Sequence, residues 1–176
     1  PTCRFAHGPI DAALTLKRKH GLDPSNIESV LVETFRQSME VSDRSELRTP
    51  FDAVVSHQYS VALALVNGKV ELAAITDERA REPAVLALMQ KVRVVHDPVL
   101  EAEFPRSWPH RITVQMTDGA KFSLLSEYPP GRTAPIPRAS VDEKFMTLSG
   151  PHIGEVRSRK ALELIRGLAH LDNVRT

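Results

Sequence analysis

Apolar residues recur at helical spacing in five stretches of the chain, and turn residues separate these stretches. In the first stretch Ile10, Ala13 and Leu14 share one face, and Gly21 supplies a left-handed stop. We expect Pro9 in the first turn of this helix, where its missing N–H costs nothing. The predicted helices are residues 8–20, Ser56–Asn67, Asp77–Gln90 with a break near Pro83, Ser140–Leu148 behind a Ser140–Glu143 capping box, and Ser158–Leu171.

Branched and alternating apolar residues predict four strands, namely Ile27–Phe35, Lys91–Asp97, Arg111–Thr117 and Lys121–Tyr128. The last two flank Asp118-Gly119, a dipeptide typical of tight hairpin turns. The polar segment Arg36–Pro50 lacks a period and is expected to be a surface loop, and the proline-rich segment Tyr128–Arg138 an ordered loop. This order of elements predicts an α+β fold, with a mostly antiparallel sheet and helices packed on one face.

Composition narrows the class of protein. The 176 residues include 23 Lys and Arg against 22 Asp and Glu, so the net charge of +1 gives no field to hold a nucleic acid or an anionic membrane. Apolar runs such as Val61–Val66 are too short to span a bilayer, and the single cysteine, Cys3, cannot form an internal disulfide. We therefore expect a cytoplasmic protein with no nucleic acid and no membrane as partners. The start at Pro1 favours a piece of a longer polypeptide over a processed N-terminus.

Several familiar chemical motifs are missing from the sequence. It contains no GxGxxG or GxxxxGK[ST] phosphate loop and no GxSxG nucleophile elbow. The seven histidines show no HxH or HExxH pairing, so we predict no metal site and expect structural or surface histidines. The basic run Lys17–His20 complements a helix C-terminus, and anion binding is its alternative interpretation.

Two groups of polar residues could carry chemistry. Cys3, Arg4 and His7 stand at a helix start, where an arginine fork could hold a carboxylate and a histidine could shuttle a proton beside it. The alternative is a frayed end with incidental polar residues. The second group, Ser56–Tyr59, enters an apolar helix and suggests a pocket wall. Its alternative is helix capping by Ser56 with a tyrosine that packs and bonds locally.

The sequence PTCRFAHGPIDAAL resembles the motif that opens the C-terminal domain of the MmgE/PrpD family, in which a lysine-containing Y-P-x-C-x-x-x-H precedes an IDAA helix. The stretch SHQYSVALALVNG is similar to the family's S-x-x-Y-x-V-A-x-A-L-x-x-G helix. The TDGAKFS hairpin, the proline-rich loop and DEKF at Asp142–Phe145 extend the similarity to about Gly150. This predicts residues 1–150 as the small C-terminal domain and residues 151–176 as its C-terminal helical tail.

The resemblance also implies an activity and partners. Family members combine a large helical N-terminal domain with a smaller α+β C-terminal domain, hold the active site in the cleft between them, and are usually homodimers. They act without cofactor or metal on small di- or tricarboxylates, by dehydration, decarboxylation or epimerisation next to a carboxylate. By this resemblance the chain is one domain of a lyase or isomerase, and its missing partner is the N-terminal helical domain.

Site residues follow from the motif positions. His7 matches the motif histidine and Tyr59 the active-site tyrosine, so both are predicted to be catalytic. Cys3, Arg4 and His57 are predicted to bind the substrate. Cys3 stands where the decarboxylase has a histidine, which counts against decarboxylation. The motif lysine falls before Pro1, and we expect the isolated chain to be inactive.

A different class of function stays open. The near-zero net charge, the exposed strand edges of an antiparallel sheet and the incomplete catalytic set also fit a non-catalytic module. Such a module would bind a small molecule or mediate dimerisation.

Overall fold

The computed structural model describes residues 1–75, 82–128, 131 and 135–170. The chain divides into two compact units, residues 1–133 and 134–176. The predictions for residues 77–81, for part of the proline-rich loop and for Leu171 lie outside the described residues. The division expected at residue 150 stays a prediction.

The first unit alternates helices with strands. Among its described residues the helices are α1 (Arg4–His20), α2 (Arg36–Ser42), α3 (Pro50–Val55), α4 (His57–Asn67), α5 (Pro83–Met89) and α6 (Pro98–Glu101). Short 3₁₀ turns occupy Pro24–Asn26 and Leu72–Ile75. Its strands are β1 (Ile27–Thr34), β2 (Val92–His96), β3 (His110–Met116) and β4 (Lys121–Ser126).

The four strands form one mixed sheet in the order β2-β1-β3-β4. β1 runs parallel to β2 and antiparallel to β3, and β3 and β4 form the predicted antiparallel hairpin. The parallel pair arises because helices, four of them in the described residues, intervene between β1 and β2, and a crossover of that kind returns the chain in the same direction. The α+β class is confirmed, and two of the three strand pairs are antiparallel.

One face of the sheet is buried beneath helices. Val30, Val32, Ile112 and Val114 are buried on that face. Helix α1 contacts β3 and β4, and α4 contacts α1, α5 and β2. Helix α4 is apolar on nearly all sides, and its residues 57–65 are buried, which makes it the central helix of the core.

The second unit is a helical hairpin of α7 (Arg138–Ile153) and α8 (Glu155–Gly167), followed by a 3₁₀ turn at Leu168–His170. Gly154, with φ of 81°, turns the chain between the helices, a backbone conformation that a residue with a Cβ rarely adopts. α7 packs against α8, and Asp142 pairs with Arg166 across the hairpin.

Three expectations about element bounds were wrong. Residues 36–50 are not all loop, because α2 occupies Arg36–Ser42 and α3 begins at Pro50. Helix α1 starts at Arg4, so Pro9 lies inside it rather than in its first turn. The Ser140–Glu143 capping box does not form, since α7 already begins at Arg138 and the Ser140 N–H donates to the Pro137 carbonyl, 2.9 Å away.

Candidate active site

The first turn of α1 brings Arg4 and His7 together. Arg4 Nη1 donates a hydrogen bond to Nδ1 of His7 at 3.0 Å, and His7 Nε2 lies 3.2 Å from the Thr2 carbonyl oxygen. A carbonyl only accepts, so the His7 proton sits on Nε2 and Nδ1 keeps its lone pair. His7 is half-buried and Arg4 is exposed, so this pair can meet a ligand.

Cys3 is the residue that caps α1, although its side chain makes no capping bond. Its backbone N–H donates to the Val54 carbonyl at 2.8 Å, which ties the start of α1 to the end of α3. The thiol is free and half-buried. Cys3 therefore lies directly before Arg4 at the edge of the same turn.

A hollow of about 170 Å³ opens beside this turn. His7 and Asp11, one helical turn apart, share its wall with Thr2 and with apolar residues that include Ile10 and Val70. Complete small-molecule sites usually occupy about 300–1,000 Å³, so this hollow has room for only part of such a ligand. Asp11 adds a negative charge to the hollow, whereas the Arg4 guanidinium and the N-terminus of α1 carry positive charge that attracts anions.

Tyr59 lies in the core instead of at the surface. Its side chain is fully buried, and its hydroxyl donates to the Ala74 carbonyl at 2.7 Å. Burial raises the pKa of the Tyr59 phenol, so it is a proton donor over the ordinary pH range. The backbone N–H of Tyr59 donates to Ser56 Oγ at 3.0 Å. Ser56 therefore caps the start of α4, as the alternative interpretation of this segment expected.

His57 is also fully buried, two residues before Tyr59 on α4. Its Nε2 lies 2.8 Å from Ser38 Oγ on α2, and the same Oγ lies 3.0 Å from Nε2 of His110 at the start of β3. His110 Nδ1 lies 2.9 Å from the Trp108 carbonyl oxygen. Burial lowers the pKa of His57 to about 3, with a smaller effect from His110, and burial lowers that of His110 to about 4. Both imidazoles are therefore neutral near pH 7.

The structure thus joins some of the predicted site residues and separates others. Cys3, Arg4 and His7 share one turn of α1, whereas His57 and Tyr59 belong to the core on α4, a helix that packs against α1. The role of each residue in a reaction stays a prediction.

Sequence reasoning missed several partners of these residues. Thr2 and Asp11 lie beside His7, and Asp11 at spacing i+4 on a helix was a signal that it shares a face with His7. Ser38 and His110 were missed because they are 19 and 53 residues from His57 in the chain, and no local pattern connects them.

Comparisons with known proteins identify the domain. A family model described as MmgE/PrpD C-terminal domain matches residues 1–170. The chain belongs to the MmgE/PrpD family. The resemblance seen in the PTCRFAHGPIDAAL and SHQYSVALALVNG motifs is thereby confirmed.

Named relatives of this MmgE/PrpD domain come from bacteria and yeast. The chain is 31% identical over 131 residues to the 2-methylcitrate dehydratase of Salmonella typhimurium, a match that covers 69% of this chain and 27% of that protein. It is 30% identical to the 2-methylcitrate dehydratase of Escherichia coli K12 over the same length. A probable 2-methylcitrate dehydratase of Saccharomyces cerevisiae is 27% identical over 135 residues, 72% of this chain and 26% of that protein. The matches span about a quarter of the length of these relatives.

Two further observations concern metals and membranes. Among the described residues, no group of three or more His, Cys, Asp or Glu side chains is placed to hold a metal ion. No helix in the described part of the chain has the length and apolar character needed to cross a bilayer.

Proposed function

We propose that this domain forms part of a cofactor-independent enzyme that performs acid–base chemistry beside a carboxylate of a small di- or tricarboxylate. Dehydration is the favoured reaction because relatives that match most of the domain are named 2-methylcitrate dehydratase. Epimerisation uses the same groups and is the second form of the proposal. The observation that carries it is the contact of Arg4 Nη1 with His7 Nδ1 at the start of α1.

Arg4 and His7 have complementary tasks in this proposal. When the Arg4 guanidinium binds a substrate carboxylate, it gives up its bond to His7. The freed Nδ1 lone pair is then a general base next to the bound carboxylate. Substrate binding and base activation are in this way a single event.

Tyr59 supplies the second proton-transfer group. His7 Nδ1 takes the proton from the carbon next to the carboxylate, and the electron pair of that C–H bond becomes the new C=C bond. The C–O bond to the leaving hydroxyl breaks, and this oxygen leaves as water with a proton from the Tyr59 phenol. Tyr59 must first exchange its bond to Ala74 for one to the substrate. In epimerisation Tyr59 instead returns a proton to the opposite face of the same carbon.

The remaining parts of the site lie outside this chain in the proposal. We infer a cytoplasmic homodimer in which an N-terminal helical domain closes the cleft over the start of α1. In the proposal Cys3, at the N-cap of α1, joins Arg4 in binding the substrate, whereas His57 is fully buried against Ser38 and supports the site from within the core. The isolated domain is expected to be inactive.

Turnover by the whole protein tests the proposal. With 2-methylcitrate, citrate and an aminodicarboxylate as substrates, His7→Ala and Tyr59→Phe should each lower kcat at least about tenfold, because positioned acid–base groups contribute roughly 10²–10⁴-fold. His20→Ala is the matched control, since His20 is an exposed histidine at the other end of α1. Unchanged kcat in both variants would contradict the catalytic assignment.

Ligand-induced stabilisation separates catalysis from a plain binding or dimerisation module. Citrate should raise the melting temperature of the whole protein, and His7→Ala should reduce that rise, because ligand binding to the folded state stabilises it. A citrate effect of the same size in His7→Ala, together with no turnover, would favour the non-catalytic module.

A further inference from the structure

Three elements of the fold begin or pack around one serine hydroxyl. Ser38 on α2, His57 at the first residue of α4 and His110 at the first residue of β3 are 0%, 0% and 1% exposed. Ser38 Oγ lies within hydrogen-bond distance of both imidazoles, at 2.8 Å and 3.0 Å. The proposed reaction steps make no use of this group.

Donor and acceptor chemistry assigns every proton in the group. The Trp108 carbonyl can only accept, so His110 carries its proton on Nδ1 and presents a bare Nε2. Ser38 must then donate its single hydroxyl proton to His110. Its oxygen can only accept from His57, so His57 carries its proton on Nε2. The order of donation therefore runs from His57 through Ser38 and His110 to the Trp108 carbonyl.

A second observation agrees with this direction. His57 Nδ1 is buried and meets no hydrogen-bond partner among the described residues. The proton assignment above leaves Nδ1 of His57 unprotonated, and an unprotonated nitrogen has no N–H that needs an acceptor. The depressed pKa values of both histidines also fit two neutral rings of opposite tautomer.

The group connects the two helices that carry the predicted catalytic residues. On one side, His57 lies two residues before Tyr59. The segment that follows α2 also binds the start of α4, since the Arg44 N–H donates to Gln58 Oε1 at 3.1 Å. On the other side, Gly8 follows His7 and packs so closely on His110 that a Cβ at Gly8 would lie 3.0 Å from Nδ1 of that ring. A shift of His110 would therefore displace the start of α1, which carries His7, and a shift of His57 the start of α4, which carries Tyr59.

We propose that Ser38, His57 and His110 form a directional hydrogen-bond relay that positions the starts of α1 and α4, and with them His7 and Tyr59. These three are positioning residues, and their catalytic consequence rests on the proposed function. The relay itself does not, because it follows from contacts within the fold.

The tautomers are measured by long-range proton–nitrogen NMR of the whole protein labelled at histidine. His57 should show a protonated Nε2 with a bare Nδ1, and His110 the reverse, at any pH near neutrality. The same tautomer in both rings, or a charged ring in either, would overturn the relay.

Positioning is measured with a pair of serine variants on α2. Ser38→Ala should shift the ring signals of His7 and Tyr59, because both histidines lose their shared partner. Ser42→Ala is the matched control, since Ser42 is equally buried one turn along α2 and its hydroxyl bonds no group in the part of the chain that the structure describes. Unmoved His7 and Tyr59 signals in Ser38→Ala would overturn the positioning role. Ser38→Thr keeps the hydroxyl, so the ring signals of His7 and Tyr59 should stay at their wild-type positions. If the alanine variant fails to fold, the ring signals are compared between Ser38→Thr and wild type instead.

Kinetics add a readout that depends on the proposed function. Ser38→Ala should lower kcat about tenfold with little change in KM, because small displacements of catalytic groups are costly, while Ser42→Ala stays within about twofold. Wild-type protein with no turnover on any of the acids would reject the proposed function alone, since the NMR measurements still decide the relay.

Discussion

The starts of α1 and α4 are two versions of one arrangement, a histidine in the first turns of a helix. At α1, His7 is half-buried and bonded to Arg4, an exposed residue. At α4, His57 is fully buried and bonded to Ser38, a hydroxyl inside the core. The comparison shows that the surroundings decide what an imidazole can do, because access to water and the type of partner set its protonation and its reach.

The difference has a cause in the two helices. α1 is amphipathic, with Ala12, Ala13 and Leu16 turned to the core, whereas the basic residues Arg18, Lys19 and His20 in its last turn are exposed. α4 is buried on nearly all sides and has no face to offer to solvent. His7 can therefore meet a ligand, as the proposed function requires, whereas His57 is enclosed in the core, although both histidines were predicted for the site.

The largest expected effect is a loss of folding stability in acid, caused by the buried histidines His57 and His110. Unfolded histidines titrate near 6.5, whereas folded His57 and His110 do so at about 3 and about 4. Below pH 6.5 the histidines of the unfolded chain bind protons, whereas the buried histidines of the folded state stay neutral. The contribution of these two residues to the free energy of unfolding is therefore complete above pH 6.5 and is lost as the pH falls towards 4. Each histidine contributes up to about 1.4 kcal/mol per pH unit, or about 4 kcal/mol for both between pH 6.5 and about 4.5.

Urea unfolding at a series of pH values measures this slope. His57→Gln keeps a side-chain donor and removes one titrating group, so the slope should fall by about half. An unfolding free energy that stays constant down to about pH 5 would show that the two histidines are not buried as neutral rings.

A methyl group at Gly8 tests how firmly the buried relay supports the surface turn. Alanine normally stabilises a helix interior by about 1 kcal/mol over glycine. Here its Cβ would lie 3.0 Å from His110 Nδ1, a ring held at both nitrogens, and overpacking costs about 1–3 kcal/mol. We expect Gly8→Ala to lower the unfolding free energy by about 1 kcal/mol overall.

The control for this variant is Gly167→Ala at the end of α8. A Cβ there meets no atom of the described residues within 4 Å, so the change should be neutral or slightly stabilising. If chemical unfolding shows Gly8→Ala to be more stable than wild type, the His110 ring can move to make room for the methyl group. The contact between Gly8 and His110 would then not hold His7 in place.

Removal of the Arg4 side chain should have the smallest effect on stability. Arg4 is exposed, so Arg4→Ala is expected to change the unfolding free energy by less than about 0.5 kcal/mol. In the proposed enzyme Arg4→Ala should raise KM for the carboxylic acid substrate. Arg4→Lys should raise KM less, because lysine keeps the positive charge but lacks the bidentate guanidinium. A large loss of stability in Arg4→Ala would show that this turn is as structural as the start of α4.

Most elements of the fold could be predicted because their patterns are local. The hairpin around Asp118-Gly119 and the buried helix ending at Asn67 appear where the pattern placed them. Helix α2 was missed because its buried face consists of serines, Ser38 and Ser42, which give no apolar period. The parallel β1–β2 pair was missed although the helices between the two strands already implied a crossover.

The sequence by itself determined the family, the α+β class and the cluster of Cys3, Arg4 and His7, since motifs and the spacing within one helical turn are properties of adjacent residues. Only the tertiary structure decided that His57 is buried and bonded through Ser38 to His110. These residues meet because three elements pack together, and burial changes the pKa and the role of each imidazole through contacts that are remote in the chain.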